Sequence, residues 1–186
     1  MKFLIPGAIF LVITFLLIWV ISVYNKLVRI KNMVHNSWSQ IDVQLKRRFD
    51  LIPNLVESVK AYASHENEVF TNIAQARATI SNAGNMDQRT AGEGGLTEAL
   101  THLFAIAENY PQLKANENFM ALQKELSDLE TKIAFARQFY NDIVMKYNTK
   151  IQTFPTNILA GIFGFTFLGY FEVNSGRERE SVSVRF

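Results

Sequence analysis

The sequence predicts an all-α protein in which an N-terminal transmembrane helix leads into an antiparallel helical body. Two observations carry that prediction: residues 3–23 hold no charge, and apolar residues recur every seven positions along most of the remaining chain. At 186 residues the chain has room for one ordinary domain beside such an anchor.

The 21 uncharged residues FLIPGAIFLVITFLLIWVISV come first. As a helix they reach roughly 31 Å, the hydrocarbon thickness of a bilayer. The run is longer than the apolar core of a cleaved signal peptide and no small-x-small site precedes Tyr24, so residues 1–23 are expected to stay attached as an anchor. Pro6 falls in the first turn, where a missing donor matters least. Lys2 alone precedes the run, whereas Lys26, Arg29, Lys31, Lys46, Arg47 and Arg48 come after it, which places the N-terminus outside and the body in the cytoplasm.

Residues 24–152 are the expected helical body. Alternating steps of four and three from Leu27 to Ile80 meet sixteen positions, thirteen of them apolar, and a seam of that period is helical. Residues 81–95, SNAGNMDQRTAGEGG, have four glycines and no period, and read as a flexible exposed loop where the chain turns back. A short helix then carries Leu96, Leu100, Leu103, Ala107 and Tyr110 and ends at Pro111. Asn116 is placed to cap the last long helix, with Glu117 in its first turn. That helix has its seam in Phe119, Leu122, Leu126, Leu129, Ile133, Ala136, Tyr140, Ile143, Tyr147 and Ile151. Lys124, Glu125, Asp128, Glu130 and Lys132 between them read as a solvated face.

Pro53 leaves two architectures open. A proline inside a helix costs about 3 kcal/mol, yet the seam passes it without losing phase. Residues 27–80 are therefore either one kinked helix or two helices of a compact four-helix bundle that reverses near residues 50–53. Phe49, Phe70, Phe135 and Phe139, off the seam, call for further packing partners in a bundle or an oligomer.

Residues 151–171 again carry no charge, but Pro155, Asn157, Thr166 and three glycines make them a poor spanning helix. Residues 153–173 are expected to lie at the membrane or at an interface, with Phe154, Pro155, Phe163, Phe165, Phe167, Tyr170 and Phe171 as the contact residues. The rival is a buried cap on the end of the bundle. The tail, residues 174–186, is polar and then alternating, and reads as an edge strand or a disordered end.

Composition and motifs exclude most chemistry. A net charge of +2 is too small for a nucleic-acid partner, and zero cysteines exclude disulfides and thiolate sites. His35, His65 and His102 lack the spacing of a zinc helix; His65-Glu66 begins such a motif, but Val69 stands where the second ligand belongs. No nucleophile elbow or phosphate loop occurs, and the glycines at 92, 94 and 95 surround a glutamate and lack the lysine. No catalytic residue, metal or cofactor is expected. Arg48 does fall on the apolar seam, where a cation needs partners. With Asp50, Glu66 and Arg137 it is expected to form a structural polar layer that fixes helix register, the rival being a ligand site.

The stretch YNKLVRIKNMVHNSWSQIDVQLKRRFDLIPNLVESVKAYASHE resembles the signature of the LemA family, as do YPQLKANENFMALQKELSDLETKIAFARQFYNDIVMKYNTKIQTFP and GFTFLGYFE. The resemblance implies a bacterial membrane protein with one N-terminal anchor in the inner (cell) membrane, a cytoplasmic four-helix up-and-down bundle, and so a break at Pro53. It implies no enzymatic activity and no cofactor. The function expected is a membrane-anchored scaffold or adaptor that self-associates. Its partners are the lipid bilayer, further copies of the chain and other membrane proteins. A membrane-remodelling or pore-related assembly using residues 151–171 is the alternative, and a carboxylate-based hydrolase a third reading.

Overall fold

The structure is a computed structural model describing residues 4–84 and 86–171, and these contain helices and no strand. The expected tail, residues 174–186, lies outside the described residues. The helices are α1 Leu4–Lys60, α2 Asn67–Ser81, α3 Met86–Ala107, α4 Pro111–Lys114, α5 Glu117–Gln152 and α6 Thr156–Ile162. They belong to two compact units.

Among the described residues, unit 1 comprises 4–43 and 133–171. Leu27 and Val34 from α1 pack with Ile143, Val144, Tyr147 and Ile151 from α5 and Ala160 from α6. The beginning of α1 is different: every large apolar side chain from Ile9 to Ile18 is exposed, Phe10 and Leu11 each 69 %. Among the described residues this is the one helix long and apolar enough to cross a membrane.

Unit 2, residues 44–132, holds a second core. Ile52, Leu55 and Val59 of α1 meet Phe70 and Ile73 of α2, Leu96, Leu100 and Leu103 of α3, and Leu113, Phe119 and Leu126. The seams expected along residues 27–80 and along the last long helix supply Ile52, Leu55, Val59, Ile73, Phe119 and Leu126 among them. Asn116 caps α5 as its position indicates, its Oδ1 accepting the Phe119 amide at 3.1 Å.

Three expectations are corrected. The chain neither breaks nor reverses at Pro53, because α1 continues through it to Lys60. Ile52 and Leu55, both fully buried, hold the helix there and offset the lost hydrogen bond. The loop expected at residues 81–95 is mostly helix, α3 starting at Met86. Pro111 does not end that helix but opens α4, where its fixed φ suits the first turn.

Gly92 gives the reason for the second correction. A Cβ added there would lie 2.8 Å from Ile80 Cγ1 and 3.1 Å from the Ile80 backbone nitrogen, so α2 and α3 approach closely through the missing side chain. Gly94 faces open space. Gly92→Val is therefore expected to destabilise by about 1–3 kcal/mol through overpacking. Gly94→Ala should instead stabilise by up to about 1 kcal/mol through helix propensity. Thermal unfolding midpoints moving in the same direction for both would contradict this assignment.

Candidate functional site

Two polar constellations stand out, one in each unit. In unit 1, residues 165–171 form no helix or strand, so their backbone groups need partners from side chains. α5 supplies them. Asn148 Nδ2 donates to the Leu168 carbonyl at 2.8 Å, and the Leu168 amide donates to Asn148 Oδ1 at 3.0 Å. Asn141 repeats the pattern on Phe171, its Nδ2 donating to the carbonyl at 3.1 Å and its Oδ1 accepting the amide at 2.8 Å. The Tyr147 hydroxyl donates to the Thr166 carbonyl at 3.1 Å and that of Tyr140 to the Gly169 carbonyl at 3.2 Å.

The register comes from two periods. Asn141 and Asn148, like Tyr140 and Tyr147, are seven residues apart, about 10.5 Å along a helix. Their partners are three residues apart, about 10 Å along an extended chain. Two helical turns thus match three extended residues. Phe165, Leu168 and Phe171 are correspondingly half-buried, while Thr166, Phe167, Gly169 and Tyr170 between them are exposed.

Aromatic contacts fasten both ends of this clamped segment. Phe171 stacks on Trp38 with ring centroids 5.9 Å apart, and the Arg137 guanidinium stands 4.6 Å from its centroid. Tyr24 meets Phe163 at 4.9 Å and Phe165 at 5.9 Å, both edge-on. Of the expected contact residues, Phe165 and Phe171 are thus engaged within the chain. Phe163, Phe167, Tyr170 and Pro155 are exposed, as is Phe154 at 80 %, which joins Pro155 through a cis peptide bond.

Burial pushes the phenols of Tyr140 and Tyr147 above their usual value of about 10. With the folded value above the unfolded one, their contribution to stability is intact below pH ~10 and is lost as pH rises through the folded value. A phenolate also has no proton to donate to Gly169 or Thr166. Alkaline titration followed by circular dichroism and protease sensitivity is expected to show residues 165–171 loosening above pH ~10. A Tyr140→Phe/Tyr147→Phe protein should lack that step.

In unit 2, Arg48 is 1 % exposed. Its Nη2 donates to Glu93 Oε2 at 2.8 Å, to the Glu93 carbonyl at 3.1 Å and to Thr97 Oγ1 at 3.3 Å, and its Nη1 donates to Glu130 Oε1 at 2.7 Å. Glu93 is itself only 4 % exposed. The residues expected to join Arg48 go elsewhere. Asp50 is exposed, Glu66 accepts the Tyr110 hydroxyl at 3.3 Å, and Arg137 belongs to unit 1. Desolvation and the Glu66 carboxylate hold the Tyr110 phenol above its usual range.

The true partners were hidden by context, Glu93 among glycines that read as loop and Glu130 among charges that read as solvated face. The clamp had a signal in the sequence: Tyr-Asn recurs at 140–141 and 147–148, one seven-residue step apart. Grooves of about 400 Å³ between α2 and α3 and about 310 Å³ between α3 and α5 are open and shallow. Among the described residues no three His, Asp or Glu side chains gather to hold a metal.

The sequence profile of the LemA family matches residues 37–186. The chain belongs to the LemA family. This LemA-family chain is 33% identical over 141 residues to a protein LemA of Metamycoplasma hominis, a match covering 73% of the chain and 63% of that relative. It is 27% identical over 175 residues to magnetosome protein MamQ 2 of Paramagnetospirillum magneticum, covering 80% of the chain and 64% of the relative. A magnetosome protein MamQ of Magnetospirillum gryphiswaldense is 28% identical over 174 residues, with the same shares. The chain thus spans a little under two thirds of the length of these relatives, whose names carry no catalytic activity.

Proposed function

We propose that this LemA-family chain is a non-catalytic, membrane-anchored scaffold that self-associates, with α1 crossing a bacterial inner membrane and the helical body on the cytoplasmic side. The single observation that carries the reading is the continuous exposed apolar surface at the start of α1, which has no packing partner among the described residues and the length to span a bilayer. The cations just past the span favour a cytoplasmic body. Self-association is favoured because anchored copies share a plane and an orientation, which raises their effective concentration. Phe135 and Phe139, one turn apart on α5 and exposed, supply apolar surface for it.

A specific observation also favours lipid contact by α6. Tyr24, just past the apolar run, packs on Phe163. Ile158 and Ile162, one turn apart on α6, are exposed, as is Phe154 ahead of the helix. Because the chain has no cysteine, single replacements Phe154→Cys, Ile158→Cys and Ile162→Cys can be labelled in intact membranes with an aqueous maleimide. Protection of all three relative to Glu125→Cys is the expected result. Labelling as fast as that exposed control removes the lipid contact. Release of the whole protein by alkaline carbonate removes the anchor.

A further inference from the structure

We infer that the end of unit 1 next to the apolar run is a docking surface for anionic phospholipid headgroups, made by Lys26, Arg29 and Lys31 of α1 together with Lys146 and Lys150 of α5. The inference rests on the membrane anchor proposed above and names the lipid that the anchored body meets. Its ground is the distribution of sign. The chain has 17 acidic residues, and none of them falls in residues 1–41 or 143–171. Earlier on α5 the charges mix, as in Lys124, Glu125, Asp128, Glu130 and Lys132, but beyond Asp142 only the two lysines remain. Lys146 and Lys150, one turn apart, repel each other. Among the described residues none of the five cations has an ion-pair partner; four of them are exposed and Lys150 is half-buried. Lys150 also offsets the dipole in the last turn of α5, a role that Lys146 lies too early to share. A solvated face mixes its signs, whereas a surface of one sign calls for a partner of the other.

The geometry selects a membrane over a protein. With about 3.6 residues per turn, Lys26, Arg29 and Lys31 point to different sides of α1, so their charge rings the helix instead of striping one face. A ring fits a plane that the helix axis pierces. The three stand roughly 4–12 Å past Val23, a distance covered by a headgroup layer of about 5–7 Å and a Debye length of about 8 Å. Side chains on a helix lean toward its N-terminus, here toward the bilayer. α5 adds its pair at the same end of the unit. Lys31 Nζ lies 6.0 Å from the Phe165 ring centroid, and the neighbouring Thr166 carbonyl accepts the hydroxyl of Tyr147, the residue next to Lys146, at 3.1 Å. Phe163 and Phe165 in turn meet Tyr24, the first residue past the run.

Trp19, one turn inside the body-side end of the run, reports the lipids around the span, with Trp38 in the body as a constant background. Full-length protein is reconstituted in vesicles of phosphatidylcholine and phosphatidylglycerol, one of the two brominated on its acyl chains in each experiment, and quenching of tryptophan fluorescence gives the ratio of the two affinities. Phosphatidylglycerol is expected to be preferred by about fivefold or more at low salt, the factor that one Lys or Arg near an anionic surface supplies. The preference should fade in about 1 M salt, where the Debye length is about 3 Å. Lys146→Gln/Lys150→Gln should lose most of it. Lys124→Gln/Lys132→Gln, the same change of charge in unit 2, should keep it, and circular dichroism checks that both variants retain their helices. Equal quenching by both lipids in the wild type overturns the inference, leaves the anchor standing and leaves the ring to an acidic protein. No quenching by either lipid overturns the anchor, and the inference with it. A preference that survives Lys146→Gln/Lys150→Gln assigns the attraction to the α1 cations alone, and one that Lys124→Gln/Lys132→Gln also removes assigns it to net charge; either result overturns the two-helix surface.

Discussion

Replacing Arg48 by alanine is expected to be among the most damaging single changes in the chain. It leaves the Glu93 carboxylate, 4 % exposed, without the guanidinium that compensates it. Removing one partner of a buried pair costs about 3–5 kcal/mol. Two further groups lose a donor at the same time, the Glu93 carbonyl and Thr97. Glu130 sits at the edge, 41 % exposed, so water replaces much of what it loses. Glu130→Gln should accordingly cost no more than about 1 kcal/mol. Replacing Arg48 and Glu93 together by methionine and leucine is expected to recover most of the loss, since a well-packed apolar pair avoids the cost of burying charge. Urea unfolding of the three variants in one detergent decides the matter. A drop below about 1 kcal/mol for Arg48→Ala would mean that Glu93 finds water or takes up a proton.

The second large effect is expected at Asn148, which is 3% exposed. Alanine there leaves the amide and carbonyl of Leu168 without their partner, at about 1–3 kcal/mol for each group kept from water. The loss is local, because Asn148 lies on a helix that alanine favours and the other core residues keep their contacts. Hydrogen exchange should rise sharply at the Leu168 amide while α5 stays protected. Asn148→Asp tests the geometry more severely, since a carboxylate still accepts the amide but repels the carbonyl. Asn141→Ala, at the less buried end, is expected to release Phe171 and leave Leu168 in place. Equal exchange at both amides in all three proteins would mean that the asparagines do not hold the segment.

How much of this was legible depended on whether the information was local. The seams of α1 and α5 were readable because burial along a helix repeats at a fixed interval, and Asn116 because capping acts within one turn. Pro53 misled because its local cost is real and only the packing of Ile52 and Leu55 outweighs it. Residues 86–95 misled for the opposite reason. Their glycines favour loop locally, yet Gly92 is there so that α2 and α3 can touch, a fact about Ile80 twelve residues away. Arg48 was recognisable as needing partners, whereas which acids answered was a matter of long-range folding, 45 and 82 residues along the chain. The clamp was spelled out in the repeated Tyr-Asn, but its meaning needs the three-residue step of residues 165–171 alongside it, and those residues read only as greasy.

That pairing of a seven-residue step with a three-residue step works like a vernier scale. Insert one amino acid between Leu168 and Phe171 and the two marks no longer coincide; the aromatic ring that belongs beneath Trp38 swings out to water while a neighbour of the wrong size turns in. Natural length variation in this stretch should therefore come in triplets, matched by whole heptads on the facing helix.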